Sequence, residues 1–315
     1  MAFSQAATRG SLMNIYKDRL KATRFTAAAI IIASSMLAQS ALATENGGSS
    51  YGHGSEGFLD AFPPGLHLVN YTNYYEAGRT LDNSGKETAP GFKTRATANL
   101  FRVMHTSKDL EILGSKVSSH ILVPIVDVYV NTATPAGSDS RTGLGDITIA
   151  PVMLGWHTKN WHLITGVDIT TPTGTYDKTR IANIGRNYWD IQPNFITAYT
   201  GDEGFQAFGK FMYDFNTKNT DTGYLSGQEF HVDYGLSQRV TLLSTDFQIG
   251  VGGYIYQQTT KDKVDSGYMG PLYAQGRVFA AGPQIEYQYK NMSFDLKFQK
   301  EFEARNRTEG SKLWL

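Results

Sequence analysis

Three residues capable of acid–base chemistry alternate in one short segment of the chain: Glu229, His231 and Asp233. At a spacing of two residues, their side chains project from one face of a β-strand. A histidine beside carboxylates can act as a general base, but a catalytic centre also needs a nucleophile within hydrogen-bond reach and an oriented third group. We therefore favour a histidine that is satisfied by charged neighbours, and a hydrolase using His231 or His162 is the alternative.

Ionisable residues take the same face in neighbouring segments, where the alternation brings them together. Within a membrane, ionisable side chains are tolerated only where they face water or one another. Two interpretations stay open: a lining that selects among solutes, or an interior filled by mutually satisfied pairs. The residues are Lys210, Asp214, Glu229, His231, Asp233, Glu286, Asp295, Lys297, Glu301, Asp168 and Asp190, together with His162 and Gln192.

Metal and cysteine chemistry find little support in the sequence. The seven histidines lack the spacing of metal ligands, and the chain has no cysteine. Disulfides, cysteine nucleophiles and cysteine-based zinc sites are therefore excluded. We expect no metal and no cofactor.

The connection with the most chemical features is TGTYDKTRIANIGRNYW, residues 173–189. Because it mixes charged and aromatic side chains, we slightly favour a loop that folds inward as a constriction. The alternative is a loop that packs on itself at the surface. The side chains expected at the constriction are Tyr176, Asp177, Lys178, Arg180, Arg186, Tyr188 and Trp189.

Apolar and polar residues alternate along much of the chain, which is the signature of β-strands. Phe294 and Leu296, for example, share one face of a segment whose other face carries Asp295 and Lys297. The alternation is less clean in the first four strands. Twelve strands are predicted, at 65–76, 93–105, 116–130, 144–157, 161–171, 188–199, 205–216, 228–239, 244–258, 274–289, 292–303 and 311–315.

The connections between these strands alternate between long and short, as expected of a transmembrane barrel. Aromatic residues at strand ends, such as Tyr188, Tyr254 and Tyr256, fit the girdles of a membrane protein. We therefore predict an all-β fold, a single antiparallel transmembrane β-barrel of about 12 strands with apolar side chains facing lipid. Long connections are predicted at 77–92, 131–143, 172–187, 217–227, 259–273 and 304–310, and short ones at 158–160, 201–204 and 290–291, whereas 106–115 and 240–243 fit less well.

The first 43 residues have the pattern of a signal peptide. A basic start precedes an apolar stretch that ends in Ala41-Leu42-Ala43, which predicts cleavage after Ala43 and export. The alternative is a membrane anchor, and Met13 is an alternative start. Residues 44–64 are predicted to be a flexible N-terminal segment, either a small stopper in the lumen or a disordered tail, and 65–315 to be the barrel.

Charge argues against a nucleic-acid partner. Removal of residues 1–43 leaves 24 basic and 28 acidic residues from the 29 of each in the full chain, a net charge of about −4. A nucleic-acid-binding domain would show a basic face instead.

The expected partners of the predicted barrel are outer-membrane lipid, the barrel-assembly machinery and a small hydrophobic solute.

Several segments resemble a known family, the outer-membrane barrels associated with the MetA pathway of phenol degradation. The resemblance implies a transporter-like barrel related to channels for hydrophobic substrates, and it supplies no catalytic residues. Family members continue past the final LWL, so the last strand of this chain is expected to be truncated to about five residues. The segments are PPGLHLVNY (63–71), GLGDITIAP (143–151), YDKTRIANIGRNYWD (176–190), SGQEFHVDYG (226–235), GVGGYIYQQ (250–258), MSFDLKFQKEF (292–302) and NRTEGSKLWL (306–315).

From these observations we expect an outer-membrane channel for diffusive passage of a small, apolar or aromatic compound. Two rivals stay open, an outer-membrane hydrolase and a structural barrel with a sealed lumen. A Ser, Thr or Asp within hydrogen-bond reach of His162 or His231, open to lipid or solvent, would favour the hydrolase.

Overall fold

The computed structural model describes residues 52–57, 63–265 and 275–315, so the predicted signal peptide lies outside the described residues. No helix in these ranges is long and apolar enough to span a membrane. The strands are β1 (Gly65–Leu81), β2 (Lys93–Ile112), β3 (Ser115–Asn131), β4 (Ser138–Leu144), β5 (Thr148–His157), β6 (Trp161–Thr170), β7 (Asp190–Thr200), β8 (Phe205–Asn216), β9 (Lys218–Asn219), β10 (Tyr224–Leu225), β11 (Glu229–Leu242), β12 (Thr245–Gln258), β13 (Lys263–Val264), β14 (Arg277–Tyr289), β15 (Met292–Arg305) and β16 (Arg307–Trp314).

Twelve long strands pair in antiparallel order around a closed barrel, as predicted. Each pairs with its neighbour around the ring, and β1 closes it by pairing with both β2 and β16. The thirteenth strand of this sheet, β4, pairs only with β3. Strands β9, β10 and β13 form a separate small sheet from two of the long connections.

The predicted fourth strand, 144–157, begins late as β5, and the predicted long connection 131–143 contains most of a further strand, β4. Strand β4 ends at Leu144 and β5 begins at Thr148, while β3 pairs with both pieces in turn. A Cβ on Gly145 would lie 2.7 Å from Cγ of Pro124, so glycine permits this close approach. Because nearly every residue from Ile147 to Trp156 is apolar, alternation gives no sign of the interruption at 145–147 between β4 and β5.

The turns at one end of the barrel are shorter than predicted. Strand β2 continues to Ile112, so 106–115 is not a long connection, and β11 continues to Leu242. Leu113, Leu243 and Ser244 have φ values of 52°, 50° and 63°. Two-residue hairpins need such positive φ values and usually signal them with Asn-Gly or Asp-Gly. Neither Leu113-Gly114 nor Leu243-Ser244 is such a pair, so the sequence does not mark these positions as turns.

The bounds predicted for the loop 304–310 and the strand 311–315 are wrong, because the last strand begins at Arg307. Strand β15 continues to Arg305, Asn306 turns the chain at φ 51°, and β16 has eight residues rather than about five. Strand β16 pairs with the Asn73–Leu81 part of β1. Interior polar residues and loop residues have similar composition, so the polar segment NRTEG predicts a loop although most of it belongs to β16.

Burial shows which face points outward. Phe294 and Leu296 are 51% and 44% exposed, whereas Asp233 and Lys297 are 1% and 3% exposed. Apolar side chains on the outside of a closed barrel are the arrangement expected in lipid. Further exposed apolar residues surround the barrel, including Leu68, Phe101, Ile125, Val167, Phe195, Phe211, Phe230, Val251 and Phe302.

Three tyrosines expected in the aromatic girdles are instead interior. Tyr254, Tyr256 and Tyr188 are 0%, 1% and 4% exposed, whereas Trp161 and Trp189 are exposed. Tyrosine suits either position because its ring is apolar and its hydroxyl needs a polar partner. Strand propensity alone therefore does not place it.

Candidate lumen site

The barrel brings most of the predicted ionisable residues together in its interior. Nine of them are at most 5% exposed: Lys210, Asp214, Glu229, His231, Asp233, Lys297, Glu301, Asp168 and Asp190. Gln192 is also buried, at 3%. Glu286 and Asp295 are half-buried. His162 is half-buried and contacts His157, with 3.1 Å between their Nδ1 atoms, so it lies apart from this group.

His231 belongs to a hydrogen-bonded group with Asp214 and Gln192. Its Nε2 lies 2.9 Å from Asp214 Oδ2, and the amide of Gln192 donates to Asp214 Oδ1 at 2.7 Å. Both members of the His231–Asp214 pair are sealed from solvent, at 0% and 1% exposure. An acid–base pair is thus present, but it is not open to lipid or solvent as a hydrolase would require.

A second group centres on Glu301. The Tyr75 hydroxyl donates to its Oε2 at 3.0 Å, the Gly310 amide donates to the same oxygen at 2.6 Å, and the Tyr254 hydroxyl donates to Oε1. Lys312 Nζ lies 4.2 Å from the centre of the Tyr254 ring. These contacts connect four strands and satisfy the buried carboxylate.

Residues 52–57, called the docked segment below, lie among these interior side chains. The Gly54 amide donates to Asp233 Oδ1 at 2.9 Å, and Lys297 Nζ donates to the carbonyl of Ser55 at 2.6 Å. Lys312 Nζ donates to the carbonyl of His53 at 3.1 Å. Backbone groups of the segment thus donate hydrogen bonds to wall residues and accept hydrogen bonds from them.

Glu56 attaches the docked segment through its side chain. Its Oε1 lies 2.5 Å from Lys210 Nζ, and its Oε2 lies 3.8 Å from Arg102 Nη1. Burial alone would raise the pKa of Glu56, but the nearby charges of Lys210 and Arg102 outweigh it and lower the pKa to about 2. Glu56 is therefore ionised at neutral pH.

Arg102 and His120 are interior residues that the sequence argument missed. Arg102 Nη2 lies 3.1 Å from His120 Nδ1, and His120 Nε2 lies 3.2 Å from Asp168 Oδ1. The available signal was the outward pair Phe101 and Val103, which flanks Arg102 in β2. His120 begins a nearly apolar run in which alternation gives no signal.

A small cavity of about 40 Å³ lies beside the docked segment. A water needs roughly 10–15 Å³ by this measure, so the cavity has room for about three. Its lining mixes apolar residues such as Leu100 and Leu122 with the polar residues Ser55, Glu56, Arg102, His120, Asp168 and Lys210.

The loop at 173–189 packs against β4 and the interruption that follows it. Asp146 Oδ1 accepts from the Gly174 amide at 2.8 Å, and Asp146 Oδ2 accepts from the Arg186 amide at 2.6 Å. A Cβ on Gly174 would lie 2.7 Å from the Cα of Gly185, so both strands of the loop need glycine where they cross. Sequence reasoning did not single out Asp146.

The predicted constriction residues differ in exposure along this loop. Tyr188 is buried, Lys178 and Trp189 are exposed, and the rest are intermediate. Arg180 pairs with Asp139 of β4. Other contacts inside the loop and with β9 involve Tyr176 with Asn219, Asp177 with Thr179, and the Arg186 carbonyl with Asn219.

We expect acid to release the docked segment through His53. The His53 ring stacks on Tyr254 at 5.5 Å and meets His231 edge-on at 4.7 Å. Burial, followed by the charges of His231, Lys312, Arg307 and Arg186, lowers the pKa of His53 well below 6.5. Released His53 therefore takes up a proton below pH 6.5 while docked His53 does not, so docking weakens by about 1.4 kcal/mol per pH unit.

The measurement is cleavage after Glu56 by a glutamate-specific protease, between about pH 7 and about pH 5, corrected for the protease's own pH profile. Cleavage should accelerate as the pH falls. The matched control is His53→Phe, which keeps an aromatic ring and cannot be protonated. An equally steep acceleration in His53→Phe would show that another group is responsible.

Comparison with known proteins gives one family and a similar solved structure. The sequence profile of the family described as "Putative MetA-pathway of phenol degradation" matches residues 77–315. The fold is similar to the crystal structure of an outer membrane channel from Pseudomonas putida F1, with a TM-score of 0.68 and 16% identity. The match covers 81% of this chain and 94% of that one. No curated protein is significantly similar to the chain.

Proposed function

Because this chain belongs to the phenol-degradation family whose profile matches it, we propose that it is an outer-membrane channel for diffusion of small, apolar or aromatic compounds. The observation that carries the proposal is the closed barrel with exposed apolar residues outside and ionisable residues inside. Such a wall satisfies its backbone hydrogen bonds by closure and suits lipid. The similar structure from Pseudomonas putida F1 is itself an outer membrane channel.

The proposed orientation follows from the connections. Short periplasmic turns and longer extracellular loops are typical of outer-membrane barrels. The two-residue turns at Leu113-Gly114 and Leu243-Ser244 would then face the periplasm, and the loop at 173–189 would face the exterior. Export through a cleaved signal peptide at 1–43 belongs to this proposal.

The docked segment is proposed to be a stopper that controls passage. It is buried between wall strands and attached through Asp233, Lys297 and Lys210. The cavity of about 40 Å³ beside it is too small for such a solute, so passage would need the segment to move. The same filled interior favours a second candidate function, a structural barrel with a sealed lumen.

The channel proposal is tested by swelling of vesicles that contain the purified protein, with protein-free vesicles as the baseline. Phenylethanediol, hexanediol and arabinose represent aromatic, fatty and sugar solutes of similar size. We expect the first two to enter faster than the baseline and faster than arabinose. If neither the full protein nor a variant lacking residues 52–57 admits any solute, the sealed barrel is the correct interpretation.

A further inference from the structure

We propose that Arg102 and Lys210 form a carboxylate-binding site for transported solutes, and that Glu56 occupies this site when no solute is bound. The proposal rests on the proposed channel function and names a substrate class for it: small compounds that carry a carboxylate, aromatic carboxylates among them. Glu56 then acts as an internal substitute for the solute.

The two cations belong to wall strands and not to the docked segment. Arg102 lies on β2, where its Nη1 donates to the Tyr71 hydroxyl at 3.0 Å and its Nη2 contacts His120. Lys210 lies on β8, directly opposite Asp233 of β11 in the strand register. Both side chains therefore come from the wall and remain in the lumen when the segment leaves, available to another anion.

Burial strengthens the attraction between these two cations and an anion at this position. Lys210 and Arg102 are 2% and 4% exposed, and Glu56 is 6% exposed, so water screens the ion pairs little. A buried cation that loses its anion is strongly unfavourable. A solute carboxylate that restores the ion pair can therefore compete with Glu56, whereas a neutral solute of the same shape cannot.

The remaining charges around the site limit which anions fit. Asp168 lies beside His120, Asp295 lies 3.3 Å from Lys297 Nζ, and Asp233 accepts the amide hydrogens of the docked segment. These three carboxylates oppose a multiply charged anion. A monocarboxylate that also carries a hydrogen-bond donor for Asp233 reproduces what the segment offers.

Direct binding is the first test, with benzoate and its neutral analogue benzamide as probes. In a variant lacking residues 52–57, equilibrium dialysis should show benzoate binding at least tenfold more tightly than benzamide. Lys210→Gln in that background should remove most of this difference, because one charge-assisted hydrogen bond corresponds to about a tenfold change in affinity. Lys210→Arg should retain the preference.

Lys300→Gln is the matched control, since Lys300 is exposed on the outer face of β15. All variants are compared by the heat-dependent shift in electrophoretic mobility that folded barrels show. Equal benzoate affinity in the parent and Lys210→Gln variants overturns the inference. Vesicle swelling with neutral phenylethanediol would still stand in that case, so the two proposals fail separately.

Competition in the complete protein is the second test. Benzoate should accelerate cleavage after Glu56 by the glutamate-specific protease, because it displaces the Glu56 side chain, and benzamide at the same concentration should not. Equal effects of the two compounds, or no effect of benzoate, would contradict displacement by a carboxylate.

Discussion

Gly54→Ala should release the docked segment about tenfold more often than the natural residue does. Gly54 has φ +80°, a conformation that costs other residues about 1–2 kcal/mol, and about 1.4 kcal/mol corresponds to a factor of ten. A Cβ at this position would also overlap the side-chain amide of Gln299, which donates to the Gly54 carbonyl at 3.2 Å. Backbone conformation and packing therefore act in the same direction.

Two measurements follow this release. Cleavage after Glu56 should accelerate about tenfold, and vesicles should admit phenylethanediol faster than with the natural protein. Gly78→Ala is the matched control, because Gly78 lies in β1 with open space around its Cβ position. If cleavage rates of the Gly54 and Gly78 variants agree, the segment does not depend on the conformation of Gly54.

Asp146→Ala should expose the loop at 173–189 to protease. The substitution removes two hydrogen bonds from backbone amides to a carboxylate, those of Gly174 and Arg186. Hydrogen bonds to charged groups contribute about 1.5–3 kcal/mol each, so the loop should open about a hundredfold more often. The rest of the barrel should keep its folded mobility in electrophoresis.

Limited trypsin digestion measures how often the loop opens, because the loop contains the trypsin sites Lys178, Arg180 and Arg186. Asp202→Ala is the control: Asp202 pairs with Lys159 between two exposed turns at the opposite end of the barrel. Such an exposed pair contributes little to stability. Trypsin rates that match between the two variants would mean that contacts with β4, such as Arg180 with Asp139, hold the loop without Asp146.

The sequence was sufficient for the fold where one face of a strand is apolar and the other is polar. In β15, Phe294 and Leu296 alternate with Asp295 and Lys297, and the structure places them on opposite sides of the wall. In β3 both faces are largely apolar, so His120 carried no periodic signal. The turn at Leu113-Gly114 lacked the usual signal, because leucine stands at the first position, where asparagine or aspartate is typical.

The interior contacts were harder to predict than the strands. Alternation identifies Lys210 as an inward residue, but it does not reveal which side chain meets it. Glu56 lies 154 positions away in a Gly- and Ser-rich stretch that resembles a tail in composition. Its role depends on three-dimensional closure, which a local pattern does not contain.

The position of His53 has a consequence for how the molecule is built. Its carbonyl accepts a hydrogen bond from Lys312, 259 positions later in the chain. A Cβ on neighbouring Gly52 would lie 3.1 Å from the Trp314 ring. The earliest described residues thus need β16, the last of the described strands, as their support. Contacts between such distant positions form late, because the intervening chain must first be ordered. While the barrel is being assembled, its lumen should therefore stay filled with water until the hairpin of β15 and β16 is in place.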